Sequence, residues 1–308
     1  MAKKLGLALG AGAARGWAHI GVLQALNDIG LKPDVIAGCS VGALVGGAHL
    51  IGALGEFENW ARTLKPLSAL DSFSLRVKRG GFIDAAPAFE AFREFDQPIE
   101  SLGVRYGAVA TDLTTGDEVH ITSGSVLDAA RASSAIPLVF HAVEHENRWL
   151  VDGALSNPAP VSLARKLGAD IVICVDLNAV PRVIERLGEH NDETALVPPA
   201  NEAPKPANTN AVERLIDDTT TAIKRQIELA KSKIEGRPHL LETSYAAADI
   251  FQMHLARARM RAEPADLLLR PDMRDASSTA FDRADEFIAI GKHAMLQQSG
   301  KLDALLNY

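Results

Sequence analysis

Continuous apolar runs alternate with segments of helical periodicity in the first part of the chain. Residues 5–9 (LGLAL) and 35–38 (VIAG) hold no polar side chain, which is typical of strands buried on both faces of a parallel sheet. A turn and a helical pattern follow each run, over 16–30 after the first and over 41–54 after the second. This order predicts an α/β fold whose central sheet is mainly parallel.

The same alternation of patterns continues toward the carboxyl end. Further strand patterns occur in five segments: 104–113, 118–122, a hairpin over 141–153 with Glu146 and Asn147 at its tip, 171–177 and 267–271. Further helical patterns occur in two segments: 160–169 and 212–234.

Residues 178–210 differ from the rest, because they are rich in proline and lack apolar periodicity. They predict a loop or a flap. We therefore expect one domain over 1–308, in which 5–177 form the α/β core and 211–308 complete it with helices and a strand. The amphipathic helix over 212–234 is expected to pack on the sheet, and contact with a membrane surface is the alternative.

The composition is that of a globular protein without a basic excess. The 308 residues carry a net charge of -7, which argues against a nucleic-acid partner. Two cysteines, Cys39 and Cys174, lie in small or apolar surroundings, and their spacing predicts neither a disulfide framework nor a zinc site. The amino terminus mimics a secretory signal, but half of its apolar stretch is glycine and alanine. No apolar run is long enough to span a membrane, and we expect a cytoplasmic protein.

The segment Gly-Cys-Ser-Val-Gly, residues 38–42, places a serine between the second predicted strand and the helix after it. In a G-x-S-x-G nucleophile elbow, Gly38 and Gly42 would permit the tight turn that leaves the Ser40 hydroxyl projecting at the carboxyl edge of the sheet. The strand–turn–helix context makes the motif more specific, and Ser40 is the candidate nucleophile.

The glycine-rich segment after the first strand has two interpretations. A dinucleotide loop needs G-x-G-x-x-G, but Gly10 and Gly12 are followed by Arg15 at the third position, and no acidic residue ends the second strand. The better interpretation is an oxyanion hole, because backbone N–H groups at the amino end of a helix favour negative charge. Ala11, Gly12 and Ala13 are the candidate donors, since their small side chains leave room for an acyl carbonyl.

A serine hydroxyl needs a base that takes its proton. In α/β-hydrolases that base is a histidine and the serine follows several strands, whereas two predicted strands precede Ser40. The downstream histidines lie in the proline-rich loop, after a proline or in helical patterns: His190, His239, His254 and His293. Asp152 is the better candidate, because it closes an apolar strand and Gly153 follows at a sharp turn. Partial desolvation would raise the pKa of its carboxyl toward the working range.

Taken in this order, the three motifs resemble those of the patatin-like phospholipase family. They are GAGAARG (10–16), GCSVG (38–42) and DGA (152–154). Three further segments resemble the bacterial members of that family: AHIGVL (18–23), ASSAIPLVF (132–140) and ADLLLRPDMRD (265–275), the last followed by an expected helix from Phe281. The resemblance covers nearly the whole chain and is weakest over 178–210.

The resemblance implies a patatin-like three-layer α/β/α fold and a serine lipid acyl hydrolase, that is, a phospholipase, lysophospholipase or related carboxylesterase. It implies that Ser40 and Asp152 form a Ser–Asp dyad that works through an acyl-serine, and that Arg15 braces the oxyanion loop. It implies no metal and no organic cofactor. The expected partner is a fatty-acyl ester, with peripheral membrane contact as a further expectation and no particular oligomeric state. Two alternatives stay open: an acyltransferase with the same dyad, and a binding or regulatory protein with vestigial catalysis.

Overall fold

A computed structural model describes residues 3–64, 89–137, 139–178, 240–273 and 276–306. The predicted helix over 212–234 lies outside these residues, as does the predicted loop over 178–210 except for Asn178.

The chain divides into two compact units. The first comprises 1–181 together with 247–308 and contains the sheet. The second comprises 182–246 and is described only from residue 240, where it is helical.

The described residues form one sheet of eight strands: β1 (Leu5–Leu9), β2 (Val35–Cys39), β3 (Arg105–Asp112), β4 (Glu118–Ile121), β5 (Val143–His145), β6 (Arg148–Asp152), β7 (Ile171–Val175) and β8 (Leu267–Leu269). They also form eight α-helices: α1 (Ala18–Asp28), α2 (Val41–Leu50), α3 (Leu54–Thr63), α4 (Val126–Ser133), α5 (Val161–Lys166), α6 (Leu240–Ala262), α7 (Ala284–Leu296) and α8 (Ser299–Leu306).

The centre of the sheet is parallel. Strand β1 lies between β2 and β7, with β3 beyond β2 and β8 beyond β7, and all four of these pairings are parallel. Strands β4, β5 and β6 add antiparallel pairings at the β3 side. The predicted α/β fold with a mainly parallel central sheet is confirmed.

Helices cover both faces of the sheet, which gives three α/β/α layers. Successive side chains of a strand point to opposite faces, and in β1 the leucines belong to one apolar core while Ala8 belongs to the other. The leucine side packs against residues of α1, α2, α4 and α7. The Ala8 side packs against residues of α5 and against Ala256 of α6. The predicted three-layer arrangement is therefore confirmed.

Two local predictions had different outcomes. The hairpin over 141–153 is confirmed as β5 and β6, and its tip residues Glu146 and Asn147 take φ values of 48° and 62°, as a two-residue hairpin turn requires. The single helix over 41–54 is wrong. Helix α2 ends at Leu50, because Gly52 adopts a φ of 76° that interrupts helical geometry, and α3 begins at Leu54.

Among the described helices, none combines the length and the apolar character that crossing a bilayer requires.

Candidate active site

The sheet topology brings the ends of two distant strands together. Strand β4 occupies one edge of β3 over Ala108–Thr111, so β2 and β6 lie end to end along the other edge. Cys39, the last residue of β2, pairs with Val109, and Asp152, the last residue of β6, pairs with Ala110. Ser40 therefore emerges beside Asp152, although the two are far apart in the sequence.

Ser40 occupies a strained turn between β2 and α2. Its backbone has φ 55° and ψ −126°, a conformation that costs about 1 to 3 kcal/mol for a residue with a side chain. The flanking glycines allow this turn because other backbone atoms lie too close to both positions for a Cβ atom to fit. A Cβ on Gly38 would lie 2.3 Å from the Cα atom of Ala43, and one on Gly42 would lie 2.1 Å from the carbonyl oxygen of Leu9. The start of α2 thus rests directly on the end of β1.

Substitution of Gly42 by alanine is expected to lower the free energy of unfolding by about 2 to 3 kcal/mol, because the new methyl group meets rigid backbone. Gly55→Ala is the matched control, since its Cβ meets no atom within 4 Å and alanine favours the α3 helix. Urea denaturation of both variants measures the difference. Equal stability of the two variants would contradict the close-packing explanation.

The Ser40 hydroxyl and the Asp152 carboxylate form a direct hydrogen bond. Ser40 Oγ donates to Asp152 Oδ2 at 2.6 Å, and the N–H of Ala154 donates to the other carboxylate oxygen at 2.8 Å. Both side chains belong to buried residues that are 4% exposed. Burial raises the pKa of the Asp152 carboxyl to about 6, and the hydrogen bonds from Ser40 and Ala154 oppose part of that rise. Asp152 therefore stays ionised at neutral pH and turns neutral in mild acid.

Gly153 lets the chain turn sharply after Asp152. A Cβ at this position would lie 2.1 Å from the carbonyl oxygen of Val109 on β3. The turn continues as a short 3-10 helix over Gly153–Leu155. The glycine thus permits the turn to lie against β3 where Asp152 meets Ser40.

Ser133, at the end of α4, fixes the backbone of Ser40. Its Oγ accepts a hydrogen bond from the Ser40 N–H at 2.8 Å and donates to the carbonyl oxygen of Val109 at 2.5 Å. Sequence reasoning gave this residue no role. The segment 132–140 resembled family sequences, but pattern alone did not indicate that its serine would reach a turn far away in the sequence.

The glycine-rich loop after β1 runs beside Ser40, because Leu9 pairs with Gly38 and the two strands are parallel. The structure removes Ala11 from the predicted donors, since its N–H already donates to the carbonyl oxygen of Pro158 at 2.9 Å. The Gly12 and Ala13 N–H groups meet no hydrogen-bond acceptor among the described residues.

Val41 offers a third donor that sequence reasoning missed. Val41 is the first residue of α2, so its N–H has no carbonyl of a preceding helical turn to donate to. It also donates to no acceptor among the described residues. The signal was present, because in nucleophile elbows the residue after the serine supplies an oxyanion donor.

Two buried basic side chains hold the carbonyl groups of the same loop. The Arg15 guanidinium, 1% exposed, donates from Nε to the Gly12 oxygen at 3.3 Å. The His19 ring lies 2.7 Å from the Gly10 oxygen through Nε2, which must carry the proton because a carbonyl only accepts. Burial lowers the pKa of His19 to about 4, and the hydrogen bond to Gly10 opposes part of that fall. His19 is therefore neutral under ordinary conditions.

The downstream histidines, which the sequence disfavoured as the base, make no hydrogen bond to Ser40 where the structure describes them. His254 is exposed and His293 contacts Gln297, while His190 and His239 lie outside the described residues. Within the described part of the chain, no group of three or more potential ligand side chains could hold a metal ion.

Fold and site define a class of protein: a three-layer α/β protein whose serine, in a tight strand–helix turn, is hydrogen-bonded to a buried carboxylate. Comparison with known proteins gives the family. A sequence model described as patatin-like phospholipase matches residues 7–165. An uncharacterized NTE family protein of Mycobacterium tuberculosis is 34% identical over 321 aligned positions, which cover 94% of this chain and 89% of that protein.

Two more distant similarities accompany these. The lysophospholipase nte1 of Emericella nidulans is 26% identical over 193 positions, covering 58% of this chain and 12% of that protein. The crystal structure of VipD from Legionella pneumophila has a TM-score of 0.42 and 14% identity, covering 98% of this chain and 67% of that one. The chain belongs to the patatin-like phospholipase family, and it is a lipid hydrolase.

Proposed function

We propose that the protein is a serine lipid acyl hydrolase in which Ser40 and Asp152 form a catalytic dyad. The observation that carries this proposal is the 2.6 Å hydrogen bond from Ser40 Oγ to Asp152 Oδ2 in a buried site. Because the carboxylate has no other hydroxyl donor among the described residues, a proton leaving Ser40 has a ready acceptor. The proposed transfer needs neither a histidine nor a metal ion.

The first half of the reaction forms an acyl-serine. As Ser40 Oγ attacks the ester carbonyl carbon, its proton passes to Asp152 Oδ2, and the carbonyl oxygen gains a negative charge. The N–H groups of Gly12, Ala13 and Val41 are the donors we assign to that oxyanion. One such donor typically contributes about 3 kcal/mol to the transition state in a dry site. When the tetrahedral intermediate collapses, the leaving alcohol takes the proton from Asp152.

The second half regenerates the enzyme. Asp152 accepts a proton from a water molecule as the water oxygen attacks the acyl carbon, and the same donors hold the second oxyanion. Collapse releases the fatty acid and returns the proton to Ser40. The pKa of about 6 suits both halves, because Asp152 is ionised near neutral pH yet is more basic than an ordinary aspartate.

The substrate class that we propose is supported by the family and by one of its members. The match to the patatin-like phospholipase model and the similarity to a lysophospholipase support a fatty-acyl ester of a phospholipid, a lysophospholipid or a related carboxylic ester. Since such lipids reside in membranes or micelles, the proposal includes peripheral contact with a lipid surface.

Incubation with a fluorophosphonate is expected to add one phosphonyl group to the wild-type protein, and peptide mapping is expected to place it on Ser40. Fatty acid should also appear from a lysophospholipid without any added acyl acceptor, as mass spectrometry would show. Product that appears only with an alcohol acceptor would make the protein an acyltransferase. Absence of both label and product would make it a binding or regulatory protein.

A further inference from the structure

Helix α6 contacts two segments that lie near Ser40 in space, the glycine-rich loop after β1 and the turn after Asp152. Asp249 and Arg259 lie about three turns apart on this helix, or about 15 Å along its axis. Asp249 contacts the loop that carries Gly12, and Arg259 contacts the turn that follows Asp152. Neither residue has a part in the proton transfer described above, so their buried and half-buried contacts call for an explanation.

Arg15 connects Asp249 to the oxyanion loop. Its Nη2 atom donates to Asp249 Oδ1 at 2.8 Å, while its Nε donates to the Gly12 oxygen. Since a buried guanidinium without a counter-charge is costly, Asp249 determines where the Arg15 side chain lies. The Gly12 carbonyl and the Ala13 N–H belong to one planar trans peptide and point in opposite directions. The backbone N–H of Arg15 also donates to this carbonyl, at 3.1 Å. Arg15, held in place by Asp249, therefore aims the Ala13 N–H through both its backbone and its side chain.

Arg259 supports the other segment. Its Nε and Nη2 donate to the Ser156 carbonyl oxygen at 3.2 and 2.8 Å, and Nη2 lies 2.9 Å from Glu118 Oε2. The Ser156 hydroxyl lies 2.8 Å from the Thr111 hydroxyl, which donates to the Asp152 carbonyl oxygen at 2.9 Å. Arg259 is therefore linked to the Asp152 backbone through Ser156, whose carbonyl group contacts Arg259 and whose hydroxyl group contacts Thr111.

The Glu118 anchor of Arg259 keeps its charge across the range in which Asp152 titrates. Burial raises the pKa of Glu118, but hydrogen bonds from His120 and Asn157 and the charge of Arg259 outweigh burial and bring that pKa to about 2. The ion pair between Arg259 and Glu118 is therefore present both above and below the pH at which Asp152 titrates.

We propose that Asp249 and Arg259 are positioning residues for the hydrolysis reaction. Asp249 acts through Arg15 on the Ala13 N–H, and Arg259 acts through Ser156 on Asp152. Because both lie on one helix, α6 fixes the oxyanion loop and the carboxylate turn relative to each other. This inference rests on the proposed function of Ser40 and Asp152.

The Asp249→Asn variant is expected to lower kcat for a p-nitrophenyl butyrate probe by about 10- to 100-fold with little change in KM, because a misaimed donor weakens transition-state binding. Its pH profile should keep the wild-type midpoint. Asp249→Asn should also lower thermal stability, because it leaves the buried Arg15 guanidinium without a counter-charge. The double variant Arg15→Met with Asp249→Leu removes both charges and should recover that stability, since apolar pairs replace buried ion pairs well. Its kcat should stay low, whereas recovery of kcat along with stability would overturn the proposal.

The Arg259→Gln variant is expected to lower kcat/KM by about 10-fold and to move the acid midpoint of the pH profile below that of the wild type, because a looser turn admits water to Asp152. Arg257→Gln is the matched control, since Arg257 is exposed on the same helix. An Arg259→Gln variant that keeps the wild-type kcat/KM and midpoint would overturn the assignment.

The two proposals fail in different ways. If Ser40→Ala is inactive while Asp249→Asn and Arg259→Gln match the wild type, the dyad stands and the positioning role is wrong. If Ser40→Ala keeps full activity on the same ester, the proposed function itself is wrong.

Discussion

The Ser40→Ala variant is expected to hydrolyse fatty-acyl esters at least about 10⁴-fold more slowly than the wild type while remaining folded. Without the hydroxyl oxygen no acyl-enzyme forms, and the remaining donors can only assist direct attack by water. Substrate binding should survive, because the loss of one oxygen does not reshape the buried surroundings of residue 40. Released fatty acid and fluorophosphonate labelling, measured side by side, should both fall to background.

Ser123→Ala is a suitable control, since Ser123 is an exposed serine on a surface turn. It should leave both activity and labelling at the wild-type level. Labelling that persists in Ser40→Ala at the wild-type rate would place the reactive serine elsewhere and contradict the dyad.

The Ser40→Gly variant separates catalysis from backbone strain. Glycine accepts the φ of 55° and ψ of −126° at little cost, so this variant is expected to be inactive yet more stable than the wild type by about 1 kcal/mol, after the entropy cost of a new glycine. Thermal denaturation of the wild type, Ser40→Ala and Ser40→Gly tests whether Ser40→Gly is more stable than the wild type. If Ser40→Gly were the least stable of the three, strain at position 40 would not be stored in the native state.

Sequence patterns predicted the strands well, because the parallel strands are buried on both faces and appear as uninterrupted apolar runs. Residues 5–9 form β1 without any shift of boundary. Helices α3 and α4 were missed for the opposite reason, and the bounds of α6 were not predicted, although His254 was placed in a helical pattern. Each presents only part of its surface to the core, and its apolar positions are interrupted by charged residues or alanines.

The candidate site was predictable where motifs carry local geometry and not where it depends on contacts across the fold. The motifs around Ser40 and Asp152 named the two side chains that the structure brings together. They did not reveal that the Ala11 N–H donates to the Pro158 carbonyl oxygen or that the Ser40 N–H donates to the Ser133 hydroxyl. Nor did they reveal that Asp249 of α6 contacts Arg15 beside the glycine-rich loop. These contacts depend on tertiary packing, which local spacing does not encode.

The Asp152→Asn variant is expected to lower kcat by about 10³-fold or more, because the amide keeps the shape of the side chain but does not accept the Ser40 proton. In the wild type, kcat/KM should rise with pH through a midpoint of about 6 and level off above it, since only ionised Asp152 acts as base. The residual activity of the variant should lack that transition. A wild-type midpoint near the ordinary aspartate value would contradict the assignment of Asp152 as a desolvated base.

Stability should change in the opposite direction to activity. The folded-state pKa of Asp152 is raised from 3.8 to about 6, so the native protein holds this proton more tightly than the unfolded chain does. Ionisation therefore lowers the free energy of unfolding as pH rises through this interval, by up to about 3 kcal/mol once both states are ionised.

Asp152→Asn removes that loss and should be more stable than the wild type by about 1 to 3 kcal/mol in weakly alkaline buffer. The gain should disappear below the unfolded-state pKa, where both forms are neutral, and urea denaturation across the pH range measures it. A variant that is less stable than the wild type in alkaline buffer would mean that the carboxylate contributes to the fold rather than being held at its expense.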